Sequence, residues 1–191
     1  MADYTREDIA LLLVSYGDGL KLRGLDLSGL NLAGMNLNGS DLGGSDLRGA
    51  DLSHARLEGV CLSGCNLEET NLISANLLGA NLNRVTAPRA IFSNAVLKDA
   101  SAMNANFHGA DFLNASLVNA RFVCCRLNFA RFENADLNRV LLHGSDLEHA
   151  DFQDARLDGA GISPDQDDAL RAFAAPDAVL RVDAGDYYGN M

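Results

Sequence analysis

Apolar residues recur in this chain at a spacing of five, and the spacing holds for most of its length. Every fifth residue from Leu22 to Ile162 is Leu or Phe, except Ala87, Ala102 and Ile162 itself. The residue two places earlier is usually small, and the residue between them is usually Asp, Asn or Arg. This apolar, polar, apolar order is the alternation of a strand, and the other two residues are rich in turn formers. Each five-residue unit is therefore predicted to be a very short strand followed by a corner.

The spacing of the phenylalanines predicts how many units close one coil. Four of them lie at intervals of twenty residues, so four units per coil would stack their rings: Phe92, Phe112, Phe132 and Phe152. Phe107 and Phe122 follow Ala87 and Ala102 by the same interval, which places a large side chain beside a small one. No unit buries its leucine alone, so the pattern predicts an all-β solenoid whose coils stack along one axis.

The repeated pattern small-(Asp/Asn)-(Leu/Phe)-x-x resembles that of the pentapeptide-repeat family, and it covers residues 20–162 without a break in register. The resemblance implies a right-handed, four-sided parallel β-helix of about seven coils, with the Leu or Phe and the small residue pointing inward. The chain then divides into an N-terminal segment 1–19, the repeats 20–162 and a C-terminal segment 163–191. The Tyr-x-x-Gly step from Tyr16 to Gly19 also resembles the start of several cyanobacterial members, and we expect a bacterial protein.

The N-terminal segment is predicted to form a helix over 5–16. Thr5 followed by Asp8 is a variant of the capping box, and acidic residues occupy the first turn. Four apolar residues fall on one face: Ile9, Leu12, Leu13 and Tyr16. The open end of a solenoid exposes unpaired backbone groups and leucines, so we expect this helix to cover the first coil.

The C-terminal segment departs from the five-residue pattern. Ser163, Pro164 and Gln166 predict a second capping helix over about 164–175, because they supply a cap residue, a proline at the first helical position and a glutamine at the third. Residues 178–191 are too apolar for a simple solvated tail. We expect this tail either to pack on the last coil or to reach a second subunit.

Composition restricts the class of protein. The chain has 191 residues and a net charge of −11 at pH 7, which argues against direct binding to nucleic acid. It lacks an apolar run of the ~20 residues that a membrane helix needs, and no secretory signal is visible at its start. The predicted location is therefore the cytoplasm, with no membrane partner.

The reactive side chains do not suggest catalysis or a cofactor. Cys65 and Cys125 fall on inward positions three coils apart, and Cys61 and Cys124 face outward at a similar separation, so no disulfide or metal spacing emerges. The histidines all fall on outward positions: His54, His108, His143 and His149. Ser145 falls on an inward position, away from any base. We predict a protein that is not an enzyme and needs no cofactor or metal.

Six outward positions carry aliphatic residues where polar ones are expected. They are Ile73, Ile91 and Leu113 on one side and Leu78, Val96 and Val118 on the next. Monomers seldom expose a contiguous apolar patch without a use, so these residues, called here the mid-rod surface, are a candidate protein interface. Terminal elements folded over the patch, or tolerated drift, are the alternatives.

The polar positions of three consecutive units are Arg121, Arg126 and Arg131, which places guanidinium groups partway around one coil. A solvated surface and a contact for an acidic partner are both consistent with this arginine row. Either surface favours a scaffold or regulatory module that binds a protein of unknown identity, or a second copy through the mid-rod surface or the tail.

The family resemblance implies an alternative function. In the best-known family activity an acidic rod imitates duplex DNA and inhibits or protects a type II topoisomerase such as gyrase. The net charge agrees with that role, but Asp26 and Asp46 are followed along their side by Asn66, Thr86, Asn106 and Arg126, so no acidic column forms.

Overall fold

The structure is a computed structural model, and it describes residues 3–166, residue 170 and the backbone of residues 181–182. Helix α1 spans Arg6–Tyr16. Thr5 caps it as predicted: its hydroxyl accepts from the Asp8 N–H at 3.2 Å, and its own N–H donates to the Asp8 carboxylate at 2.8 Å. Gly17 ends the helix with φ of 71°, in the left-handed region that glycine adopts most readily.

Helix α1 packs on the solenoid along part of its predicted apolar face. Ile9 is fully buried, and Leu12 and Leu13 are half-buried against the core. The prediction for Tyr16 was wrong, because its side chain is 76% exposed. Helical periodicity identifies the residues that share a stripe, but it does not say how far along the helix the neighbouring coil reaches.

The repeat region forms four columns of parallel bridges, and every bridge joins residues twenty apart. One column begins with Lys21–Asp41 and the next three with Asp26–Asp46, Asn31–Asp51 and Asn36–Arg56. In each bridge the later of the two polar-position residues makes both backbone hydrogen bonds. In the first bridge, for example, the Asp41 N–H donates to the Leu20 carbonyl, and the Asp41 carbonyl accepts from the Leu22 N–H. The twenty-residue coil is confirmed. The strands are shorter than predicted, because each rung is a single bridging residue.

The corners explain the turn residues of the pattern. The second turn residue of each unit has a positive φ, as at Gly24 with 66° and Asn94 with 60°. A side chain is disfavoured in this left-handed region, and glycine and asparagine tolerate it best.

The interior is filled by the residues of the five-residue register. Their central side chains are buried from Leu22 to Ile162, with Leu147 alone half-buried. Phe92, Phe112, Phe132 and Phe152 form one stack in which successive ring centroids are 4.9 Å apart. The stack predicted from the twenty-residue spacing is therefore present.

The described part of the C-terminal segment continues from the last coil. Strand β1 (Gly161–Ile162) is followed by a 3-10 helix, Pro164–Gln166, where a longer helix is predicted. Residue 170 is helical and buried, and the rest of the predicted 164–175 helix lies outside the described residues. Strand β2 (Arg181–Val182) pairs in parallel with β1, again at an offset of twenty residues. The remainder of the 178–191 tail lies outside the described residues.

Candidate interaction surfaces

The polar residue of each repeat has a second role beyond its bridge. Wherever it is Asp or Asn, its side-chain oxygen accepts a hydrogen bond from the backbone N–H two residues later, closing an Asx turn over the corner. This bond is present in all fifteen such units, at 2.9–3.3 Å. The polar residue therefore satisfies a surface N–H of its own corner.

The mid-rod surface interrupts this system of Asx turns. Ile91 bridges Asn71 and Asp111 in one column, and Val96 bridges Asn76 and Ser116 in the next. Neither side chain accepts a hydrogen bond, and the N–H groups of Ser93 and Lys98 have no hydrogen-bond acceptor within the described residues.

The six side chains of the mid-rod surface lie on two adjoining columns, as the twenty-residue register requires. Val96 is 39% exposed, and the other five are half-buried: Ile73, Leu78, Ile91, Leu113 and Val118. The aliphatic side chains are thus partly open to solvent. Their use as an interface stays a prediction.

The three side chains of the arginine row are all exposed, but they have different surroundings. Arg131 lies 3.4 Å from Asp111 and 3.0 Å from Glu133, and its hydrogen bond to Glu133 is the main reason that its pKa is raised. Arg121 and Arg126 form no ion pair with any of the described residues. One guanidinium of the row is therefore neutralised by its own chain, and two are not.

An aromatic group on the corner after Arg126 was missed by the sequence analysis. Phe129 occupies a second turn position, with φ of 61°, and is 51% exposed. Its ring contacts His108 and His149, with centroid distances of 5.5 and 4.9 Å. The available signal was a phenylalanine out of register, at a position that otherwise favours Gly and Asn.

The inward cysteines are held as core residues. The Cys65 thiol donates to the Leu42 carbonyl at 3.0 Å and the Cys125 thiol to the Ala102 carbonyl at 2.6 Å. Burial raises the pKa of Cys65 to about 11 and that of Cys125 to about 12, so both remain thiols at neutral pH. All four cysteines of the chain are free.

The described part of the chain has no obvious metal site, because no three of its His, Cys, Asp or Glu side chains are grouped so that they could hold a metal ion. No described helix has the length and apolar character needed to cross a membrane.

The fold is a β-solenoid of very short repeats. Its bridges are parallel and join residues at a constant offset, many of its corners are closed by Asx turns, and nearly every unit places one large residue in the core. The sequence model for pentapeptide repeats, described as eight copies, matches residues 19–53, 50–86, 90–128 and 125–160. The chain belongs to the pentapeptide-repeat family.

Several solved structures are similar to this chain. HetL, a pentapeptide repeat protein involved in heterocyst differentiation regulation in the cyanobacterium Nostoc, is 23% identical over 84% of this chain and 81% of its own, with a TM-score of 0.41. QnrB1 is a plasmid-mediated fluoroquinolone resistance protein. Its trypsin-treated form is 22% identical over 76% of this chain and 74% of its own, with a TM-score of 0.47.

A pentapeptide repeat protein of the Arabidopsis thaliana thylakoid lumen is 24% identical over 83% of each chain, with a TM-score of 0.33. A search of curated protein sequences found no match.

Proposed function

We propose that this chain is a non-enzymatic scaffold or regulatory protein that binds a protein partner, or a second copy of itself, through the mid-rod surface. The observation that supports the proposal is the loss of two neighbouring Asx turns at Ile91 and Val96. A hydrogen bond of this kind contributes about 0.5–1.5 kcal/mol. Aliphatic residues therefore replace polar ones at a cost in stability, at positions where they remain open to solvent.

Hydrogen bonds at both ends of the repeats are consistent with a stable, non-catalytic framework that presents the mid-rod surface. In α1, the Arg6 guanidinium donates to the Asn31 carbonyl at 2.7 Å and to the Ala33 carbonyl at 3.0 Å. Gln166 donates to the Leu142 and Ser145 carbonyls at the other end of the repeats. We propose that both terminal segments cap a right-handed rod of about seven coils in the cytoplasm.

The test is to replace Leu113 and Val118 by lysine. The fold is expected to remain intact, because both side chains lie outside the core, while association is expected to be lost. Sedimentation equilibrium gives the solution mass, and a pull-down from the native host gives the partner. The matched control is Met103→Lys with Leu141→Lys, which adds the same charge at half-buried positions on another side. Unchanged mass and partner binding in the Leu113/Val118 variant would refute the proposal.

Inhibition or protection of a type II topoisomerase is the alternative function. It requires an acidic face that stands in for DNA, and the unpaired Arg126 lies in the same bridge column as Asp26 and Asp46. A supercoiling assay with purified gyrase tests it: this chain is expected to leave the rate unchanged. Inhibition, or rescue from a fluoroquinolone, would favour the alternative.

A further inference from the structure

Within the described residues, every unit of the arginine row leaves a surface N–H without an acceptor, and two of the units also leave the arginine without an ion pair. Because Arg121 and Arg126 stand where Asp or Asn is usual, the N–H groups of Val123 and Asn128 lose the Asx-turn oxygen. Neither N–H has any hydrogen-bond acceptor within the part of the chain that the structure describes.

Other arginine units in the same register are compensated. At the Arg56 unit, the N–H of Glu58 donates to the Asn38 side chain at 2.9 Å. At the Arg156 unit, the N–H of Asp158 donates to Asn138 at the same distance. In both cases an asparagine twenty residues earlier supplies the missing oxygen. An arginine at the polar position therefore does not by itself leave the corner N–H open.

No such asparagine precedes the open units. The residues twenty before Val123 and Asn128 are Met103 and His108, and neither accepts from them. At each unit an unpaired guanidinium and an open N–H thus share one corner on the outside of the rod. A carboxylate bound there would replace the lost Asx oxygen and pair with the arginine in one step.

Arg131 differs from the other two members of the row in its charge partners, although the N–H of Glu133 at its corner also has no acceptor among the described residues. Its guanidinium is bound by carboxylates of its own chain, at Asp111 and Glu133. Arg121 and Arg126 carry the same group on the same coil without an internal carboxylate. The chain therefore neutralises one member of the arginine row and leaves two available.

An aromatic ring next to Arg126 extends the site beyond charge. Phe129 is 51% exposed on the same corner as Asn128, in a left-handed backbone conformation that disfavours phenylalanine. An N–H donor and an exposed aromatic ring on one corner suit an extended peptide better than a simple anion.

We propose that Arg121 and Arg126, with the N–H groups of Val123 and Asn128, bind the carboxylates of an acidic, extended protein segment. Phe129 provides the apolar contact at one end of this site. The inference shares with the proposed function only the idea of a protein partner, since the site lies on residues outside the mid-rod surface.

The experiment uses the full chain, isotope-labelled for amide NMR, and an acetylated octapeptide that alternates glutamate and alanine. The amides of Val123 and Asn128 are expected to shift on titration, whereas those of Glu58 and Asp158 stay in place. The matched peptide with glutamine in place of glutamate is expected to cause no shift. Equal shifts with both peptides, or none at Val123 and Asn128, would overturn the proposal.

The key variant is Arg121→Asn with Arg126→Asn, which restores both Asx turns and so favours the fold. It is expected to bind the peptide at least about tenfold less tightly, since both charge-assisted hydrogen bonds are lost. The control variant, Arg56→Asn with Arg156→Asn, removes the same charge and is expected to bind normally. Equal losses in both variants would mean general charge attraction and would refute a built site.

Two further experiments distinguish an acidic peptide from other anionic ligands, and this site from the mid-rod surface. Inorganic phosphate or a short DNA duplex that shifts the same amides at lower concentration than the peptide would overturn the assignment to an acidic peptide. The Leu113→Lys/Val118→Lys variant is expected to keep the peptide-induced shifts. Failure of the mid-rod interface and failure of this site are therefore distinguishable.

Discussion

Replacing Phe112 by alanine is expected to destabilise the repeat region more than any surface change. The side chain is fully buried, and its ring stacks on Phe92 and Phe132 at 4.9 Å with interplanar angles of 8° and 3°. The edges of Phe107 and Phe122 contact it at 5.6 and 5.8 Å. The substitution therefore opens a cavity in the middle of a continuous stack.

The magnitude follows from two contributions. Truncation of a buried phenylalanine to alanine costs about 3–5 kcal/mol, and each aromatic pair adds about 0.5–1.5 kcal/mol beyond its buried area. Leucine keeps most of the volume and is the usual residue of this register, so Phe112→Leu is expected to cost only about 1.5 kcal/mol. The difference between the two variants separates filling of the core from ring stacking.

The assay is equilibrium unfolding in guanidinium chloride, followed by circular dichroism, with the slope compared between variants. Phe112→Ala is expected to lower the midpoint clearly, and Phe112→Leu slightly. A loss below about 1.5 kcal/mol for alanine, or equal losses for alanine and leucine, would show that the rings do not act as a continuous stack. A changed slope would indicate that the coils unfold in separate steps.

Three further predictions concern the surface. The hydrogen bond from the Ser53 hydroxyl holds the pKa of Asp51 below its ordinary value of about 3.9. The ionised Asp51 carboxylate therefore stabilises the fold fully above about pH 3.9, and this stabilisation is lost as the pH falls through the lowered pKa. NMR titration of the carboxyl group measures that pKa. Phe129→Asn is expected to leave stability unchanged or raise it by up to about 1 kcal/mol, because asparagine tolerates the left-handed corner; a loss above about 1 kcal/mol in chemical unfolding would contradict this. At pH 8, alkylation followed by peptide mass spectrometry is expected to modify exposed Cys124 rapidly and to spare Cys65 and Cys125 until the chain unfolds.

The sequence was sufficient for the coil and its contents. A twenty-residue recurrence of phenylalanine predicts that Phe92 lies over Phe112, because only one coil length places large rings above one another. The Thr5 cap was also predictable, since a capping box is a local interaction of residues three apart. Tyr16 was not, because its exposure depends on where the helix meets the first coil.

The candidate sites were only partly predictable. The sequence identifies Arg121 and Arg126 as departures from the Asp or Asn of the pattern, but it does not say whether the corner N–H finds another acceptor. That depends on contacts between coils, such as the one from Glu58 to Asn38. Phe129 was missed because a residue outside the apolar register has no expected packing partner in the sequence pattern.

The four columns of bridges also have a mechanical consequence. Since every rung links one coil to the next, a force applied along the rod loads the coils in series, and the outermost coil is expected to detach first. Each detached coil releases twenty residues, or about 65 Å of extended chain. Stretching a single molecule is therefore expected to give a regular series of equal extensions, one for each coil that detaches.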